Sequence, residues 1–167
     1  MGNTRTATKN SAGINIWEGA IVVVAAILLI GSTLGPDWLY SPADPKTGTP
    51  AATLDFSALG VATEGSPSAI QATYFGWLAW VAFIGVIVLG ALTALSANRL
   101  WAIAGLVAGL IAVLVSVLAI KGPLTWSQTV DALPNIRLGG YMMIIGLLGL
   151  LAYSAFRTFV PRPVPLR

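Results

Sequence analysis

The chain has 167 residues, of which 56% are hydrophobic and 9% are charged, and its formal net charge is +3. A soluble domain carries roughly 25% charged residues, so this chain has too few charges to cover its surface against water. The composition therefore predicts an integral membrane protein whose apolar side chains face lipid. The small and scattered positive charge predicts no nucleic-acid partner.

Two residue types that support much of protein chemistry are missing, because the sequence contains no cysteine and no histidine. Without cysteine there are no disulfides, no thiolate catalysis and no Cys-ligated metals. Without histidine the chain lacks the usual haem and zinc ligand and the usual general base. We therefore expect no cofactor, no metal site and no catalytic residue.

Four apolar stretches are long enough to cross the roughly 30 Å hydrocarbon core of a bilayer, which needs about 20 helical residues. The first exceeds the ~7–15 apolar residues of a signal peptide, which predicts a retained helix. The fold prediction is an all-α bundle of four transmembrane helices, with tails at 1–13 and 157–167, outer loops at 35–73 and 121–137, and an inner turn at 96–99. The predicted spans run from Ile14 to Leu34, Tyr74 to Leu95, Leu100 to Ile120, and Leu138 to Phe156.

The distribution of Lys and Arg predicts that both termini are cytoplasmic and that the protein is a multi-pass protein of the plasma membrane. Six cations then lie inside and three outside: Arg5, Lys9, Arg99, Arg157, Arg162 and Arg167 against Lys46, Lys121 and Arg137. Aromatic residues near the span ends are typical of interfacial belts. They are Trp17, Trp101, Phe156 and Phe159 at inner ends, and Trp38, Tyr40, Tyr74, Trp77 and Tyr141 at outer ends.

The first outer loop is rich in proline and glycine, which favours turns and extended chain over regular structure. Its Leu54, Phe56 and Leu59 are expected to pack against the helix tops. Near its end, Ser66-Pro67 resembles an N-cap followed by a proline at the first helical position, so the second helix is expected to begin at about Pro67.

The second outer loop contains a predicted short helix. Thr125 and Gln128 have the spacing of a capping box, and Pro134 is expected to end the element. Trp126, Val130 and Leu133 then share one helical face, which predicts an amphipathic helix on the outer membrane surface.

Glu18 is the one acidic or basic residue inside the predicted spans. Intramembrane acids often serve proton transfer or ion binding. Because Glu18 lies only one turn inside the inner boundary, an interfacial position or an ion pair with Arg99 is the alternative to a proton-carrying role.

Small residues at helical spacing are candidates for close helix contacts, because they let backbones approach in lipid. They serve either packing within the bundle or docking onto another subunit, and the sequence leaves both alternatives open. The candidates are Gly31 and Gly35 in the first span, Gly85, Gly90 and Ala94 in the second, Gly105 and Gly109 in the third, and Gly146 and Gly149 in the fourth.

The layout resembles claudins in outline, with four spans, a long first outer loop and Trp38 just after the first span. The absence of cysteine excludes membership, since a claudin carries a paired-cysteine signature in that loop. The chain also resembles small four-span accessory subunits of actinobacterial envelope complexes, such as those of Mce-type lipid importers or of the respiratory supercomplex. This resemblance rests on size, Ala/Gly/Val-rich helices, Gly35-Pro36-Asp37-Trp38 and the Arg- and Pro-rich tail from Pro161 to Arg167.

These features lead to three functional hypotheses. The first is a non-catalytic accessory subunit of a larger membrane complex, which the resemblance associates with lipid transport, and its partners are other integral membrane subunits and membrane lipids. The second is a small carrier or channel for a lipid or apolar solute, acting as a homo-oligomer with Glu18 as a polar handle. The third is a lipid-acting enzyme that uses Asp37, Asp44 or Asp55 at the outer surface.

Overall fold

The computed structural model describes residues 16–41, 45, 48, 51–56, 68–96, 98–122 and 124–160. Most of them lie in helices α1 (Ile16–Ser32), α2 (Ala69–Thr73), α3 (Ala79–Leu95), α4 (Arg99–Lys121), α5 (Trp126–Ala132) and α6 (Leu138–Phe159). Two short strands, β1 (Leu39–Ser41) and β2 (Ala52–Leu54), follow α1. The predicted N-terminal tail, the C-terminal residues after 160, Asp44, Lys46, Leu59 and the Ser66-Pro67 helix start lie outside the described residues.

Three helices of the described chain are long and apolar enough to cross a membrane, namely Ala69–Leu95, Arg99–Lys121 and Leu138–Phe159. The chain is therefore a helical membrane protein. The apolar helix α1 has 17 residues, which give about 25 Å of helix against a hydrocarbon core of about 30 Å. The crossing by the first predicted span, from Ile14 to Leu34, therefore stays a prediction.

The first helix ends two residues earlier than predicted, at Ser32. The hydroxyls of Ser32 and Thr33 donate to the carbonyl oxygens of Leu29 and Ile30, both at 2.7 Å. Gly35 then has a φ of +118°, a conformation that glycine adopts without strain. Hydrogen bonding by the short polar side chains thus turns the chain out of the helix.

The second long helix begins ahead of the predicted span, at Ala69, two residues after the expected start at about Pro67. Its N-cap is Ser68, whose side chain forms a capping box with Gln71. α2, a π-helical turn (Tyr74–Leu78) and α3 then form one continuous helix of 27 residues, Ala69–Leu95. The helix therefore begins five residues before Tyr74, the predicted start of the span.

The short connections follow the sequence signals closely. Asn98 caps α4 by accepting a hydrogen bond from the backbone of Leu100 at 2.9 Å, so α3 and α4 form the predicted tight hairpin. The predicted capping box of α5 is confirmed, with Thr125 and Gln128 bonded reciprocally. Pro134 does not end the helical segment abruptly, because α5 continues into a 3-10 turn, Leu133–Asn135, that contains this proline. α6 continues three residues beyond the predicted Phe156.

The long helices form a bundle in which α6 packs against α1 and α4, and α3 packs against the same two helices. α1 and α6 are antiparallel, since Glu18 at the start of α1 contacts Arg157 at the end of α6. The α3–α4 turn lies at this same end of the bundle. The segments after α1 and around α5 lie at the opposite end, where they form a structured cap.

The cap contains regular structure that the sequence did not predict. β1 and β2 pair antiparallel, with Leu39 opposite Leu54 and Tyr40 opposite Thr53. An isolated bridge joins Leu39 to Ile136, so the second outer loop continues the pairing. The expectation of turns and extended chain without regular pairing in the first outer loop was wrong for these residues.

Candidate functional site

An ion pair joins α1 to α6 at the end of the bundle opposite the cap, and it involves the one charged residue inside the predicted spans. The Nε of Arg157 lies 3.8 Å from Oε2 of Glu18, and the Tyr153 hydroxyl donates to the same oxygen at 2.9 Å. Arg157 also donates from Nη1 to the carbonyl of Val160 at 3.2 Å. Both charged side chains are largely buried, at 9% and 13% exposure for Arg157 and Glu18.

The position of each charge suits its helix. Glu18 is in the first turn of α1 and Arg157 in the last turn of α6, where the helix dipoles favour a negative and a positive charge respectively. The prediction that Glu18 pairs with Arg99 was wrong, because Glu18 pairs with Arg157 and Arg99 is exposed at the start of α4. The arrangement neutralises the carboxylate within the chain.

Five of the eight glycines proposed as helix contacts lie in tight places inside the bundle. A Cβ on Gly105 would lie 2.8 Å from the Ser154 Oγ, and one on Gly109 would lie 2.9 Å from the Leu151 side chain. Both residues therefore allow α4 to approach α6 closely. A Cβ on Gly90 would meet Leu150 at 2.9 Å, and one on Gly31 would meet Met142 at 2.6 Å. One on Gly146 would meet Leu29 at 2.8 Å.

The other three proposed glycines make no such contact. At Gly35, Gly85 and Gly149 an added Cβ would meet nothing within 4 Å. Gly35 lies beyond the end of α1 in a positive-φ turn, so its role is conformational and the packing prediction for it was wrong. Gly85 on α3 and Gly149 on α6 are not in close helix contacts within the bundle, so docking stays the predicted role of both.

Trp38 is the centre of the cap. Its side chain is only 1% exposed, and its indole Nε1 donates to the Ser32 carbonyl at 2.7 Å. The rings of Phe56 and Phe75 meet it edge-on, with centroids 5.2 and 5.5 Å away. The prediction that Trp38 belongs to the interfacial belt was therefore wrong, because its ring is buried inside the cap.

Two more aromatic rings complete this cluster from the continuous helix Ala69–Leu95. Tyr74 meets Trp38 edge-on at 5.9 Å, and Phe83 stacks on it at 6.3 Å. Tyr74 is also fully buried, so its assignment to the belt was wrong as well, and its hydroxyl bonds to that of Ser116 on α4 at 2.6 Å. The exposed rings of Trp17, Trp77 and Tyr141 fit the belt prediction.

The backbone around Trp38 is bonded to segments far away in sequence. The Trp38 N–H donates to Leu54 at 2.8 Å, and its carbonyl accepts from Arg137 at 3.0 Å. Gly139 and Gly140 make this approach possible, since a Cβ on either would lie 2.6 Å from an atom of Trp38. Sequence reasoning missed these two glycines, although a Gly-Gly pair at a helix start is a detectable signal because glycine disfavours helix.

The described residues contain no group of three or more Asp or Glu side chains that could hold a metal ion. Asp55, one of the acids considered for an enzyme site, is buried in the cap, and Asp37 is half-buried.

No protein-family model, no curated protein and no solved structure matches this chain.

Proposed function

We propose that the chain is a non-catalytic accessory subunit of a larger multi-subunit complex in the plasma membrane, and that the complex is a lipid-transport assembly. One observation supports this role most directly. Within the described residues, every buried side-chain nitrogen or oxygen has a hydrogen-bond partner. Glu18 is also paired inside the chain. The described polar groups in the bundle interior are therefore already hydrogen-bonded or ion-paired, and none is available as a proton carrier or a nucleophile. The outward-facing sides of its helices and its cap remain as the surfaces that can bind a partner subunit or lipid.

The proposed subunit crosses the bilayer four times with both termini in the cytoplasm. The six-to-three distribution of cations supports this sidedness, and the antiparallel pairing of α1 with α6 supports a first crossing. The cap then faces the outside. There it presents α5, whose Trp126, Val130 and Leu133 are exposed, to the outer leaflet or to a partner.

The surface proposed for the partner helix is the face of α3 that holds Gly85. Val81, Ile84 and Val88 are exposed around it, and the missing side chain of Gly85 leaves a notch among them. Such a notch lets a helix of another subunit approach closely. A second copy of this chain would occupy the same notch in the homo-oligomeric alternative.

The test is affinity purification from the native membrane, with Gly85→Leu compared against Gly76→Leu. Neither glycine has a neighbour within 4 Å of an added Cβ, and leucine favours helix by about 1 kcal/mol over glycine, so both variants should fold. We expect Gly85→Leu to lose the co-purifying subunits and Gly76→Leu to keep them. A wild-type chain that purifies alone would contradict the proposal, and equal behaviour of the two variants would contradict the choice of face.

The second candidate function, a carrier or channel for a lipid or apolar solute, is favoured by one observation. A cavity of about 250 Å³ lies between α4, α5 and α6 and has an almost wholly apolar wall. Flux of an apolar solute or lipid into reconstituted liposomes is the direct test. Flux that disappears in Glu18→Gln would support this function, and wild-type vesicles without flux would count against it.

A further inference from the structure

The cavity between α4 and α6 has the form of a lipid groove. Its walls come from the outer half of α4, from Val113 to Ile120, and from the outer half of α6, from Met143 to Leu148. Thr129 on α5, with Leu133 and Ile136 after it, forms the roof. From Ile120 to Val113 the groove follows α4 for about 10 Å, at 1.5 Å per residue.

The groove cannot be a good water site. Its two polar lining side chains are Ser116 and Thr129, and both are already engaged. Ser116 donates to Ala112 and bonds to Tyr74, while Thr129 donates to the carbonyl of Thr125. A buried water needs two to four polar partners, and an empty apolar cavity of about 150 Å³ already binds a molecule as large as benzene. A cavity of about 250 Å³ favours an apolar occupant.

The mouth of the groove identifies where that occupant comes from. Val117, Leu133 and Leu148 line the groove and are themselves 39–50% exposed, so the opening lies on the outer surface of the helices. When these helices lie in a bilayer, the surface around them is acyl chain. A chain can therefore enter sideways without leaving the hydrocarbon layer.

Two cations directly follow residues that line the end of the groove nearest α5. Lys121 follows the lining residue Ile120 at the end of α4, and Arg137 follows the lining residue Ile136 at the start of α6. Lys121 lies 5.5 Å from the Trp126 ring and Arg137 lies 4.8 Å from the Tyr40 ring. No described carboxylate, including Asp131 on α5, forms an ion pair with either of them.

We propose that this groove binds one acyl chain of an anionic phospholipid whose headgroup is held by Lys121 and Arg137. The apolar wall accounts for the chain, and the two cations account for the negative headgroup. The site depends on the helices lying in a bilayer, as the proposed function does, but it needs no partner subunit. Loss of co-purifying subunits in Gly85→Leu and loss of lipid are therefore separate results.

The test is native mass spectrometry of the full chain in mild detergent, with phosphatidylglycerol, phosphatidylcholine or oleate added. We expect one phosphatidylglycerol retained per chain in preference to the other two. Each of Lys121→Gln and Arg137→Gln should lower the preference over phosphatidylcholine about fivefold, since a cation near an anionic lipid surface contributes about 1 kcal/mol. Arg99→Gln, at the opposite end, should leave it unchanged.

A second pair of variants tests the acyl-chain part. Val117→Trp fills the mouth of the groove, whereas Val107→Trp places the same ring on an exposed face of α4 outside it. We expect lipid retention to be lost only in Val117→Trp. Equal retention in both variants, equal retention of the two phospholipids by the wild type, or preference for oleate would each overturn the proposal. If Val117→Trp does not fold, the Lys121 and Arg137 variants decide alone.

Discussion

The two ends of the bundle are held together in different ways. At the cap, Trp38 connects segments from four parts of the chain through ring contacts and backbone hydrogen bonds. At the opposite end, a short turn joins α3 to α4, and one ion pair with a tyrosine hydroxyl joins α1 to α6. The cap is thus a packed structure in its own right, while the opposite end is joined by few contacts.

This difference indicates that the cap is the end of the bundle with the more firmly fixed shape. A buried aromatic cluster gains stability from the large area of its rings and from their edge-to-face geometry, and it holds the backbone around it in one arrangement. A single polar contact between transmembrane helices contributes less. The cap therefore provides the rigid surface of this protein and forms the roof of the lipid groove.

The largest expected effect comes from removing the centre of the cap. Trp38→Ala should lower the free energy of unfolding by about 3–5 kcal/mol, because a buried tryptophan leaves a cavity and its hydrogen bond to Ser32 is lost. Thermal unfolding in one detergent measures this. Trp77→Ala is the control, since its ring is 57% exposed and should change stability little. Equal losses for both would refute the assignment of Trp38 to a buried core.

The next effect tests the close approach of α6 to the cap backbone. Gly139→Ala places a methyl group against the Pro36 carbonyl and 2.6 Å from the Trp38 ring, so we expect a loss of about 1–3 kcal/mol from overpacking. Gly149→Ala has open space and should instead be neutral or stabilising. The same unfolding measurement compares them, and a stable Gly139→Ala would show that the contact is looser than described.

The smallest effect is expected at the end of the bundle opposite the cap. A double-mutant cycle with Glu18→Gln and Arg157→Met should give a coupling energy of about 0.6 kcal/mol, and at most about 1.7 kcal/mol. The matched cycle with Arg99→Met should give none, because Arg99 is exposed. A coupling to Arg99 that equals the one to Arg157 would contradict the observed pairing.

Hydropathy was sufficient to locate the long helices but not their ends. The helix of the second span begins at Ala69 and not at Tyr74, because Ser68 and Gln71 form a capping box that supplies the missing hydrogen bonds in advance of the apolar run. The hairpin escaped prediction since its strands have three residues each, too few for an alternating pattern. The pairing of Leu39 with Leu54 depends on contacts that only the folded cap provides.

The candidate residues show a similar limit. An aromatic residue at a span end has the same sequence signal whether its ring faces lipid, as Trp77 does, or the interior, as Trp38 does. Glu18 was recognisable as a charge in need of a partner. The partner of Glu18 was not recognisable from the sequence. The order of the helices around the bundle decides between Arg99 and Arg157, and hydropathy does not predict that order.

The central claim is that these helices lie in a bilayer with the cap on the outside. The chain has no cysteine, so single cysteines at Ser11, Asn98 and Ser127 can be labelled without background in intact cells by a membrane-impermeant maleimide. We predict labelling of Ser127→Cys in intact cells, and labelling of Ser11→Cys and Asn98→Cys only after the membrane is permeabilised. Labelling of Asn98→Cys together with Ser127→Cys in intact cells would contradict the crossing of α4 and with it the whole arrangement.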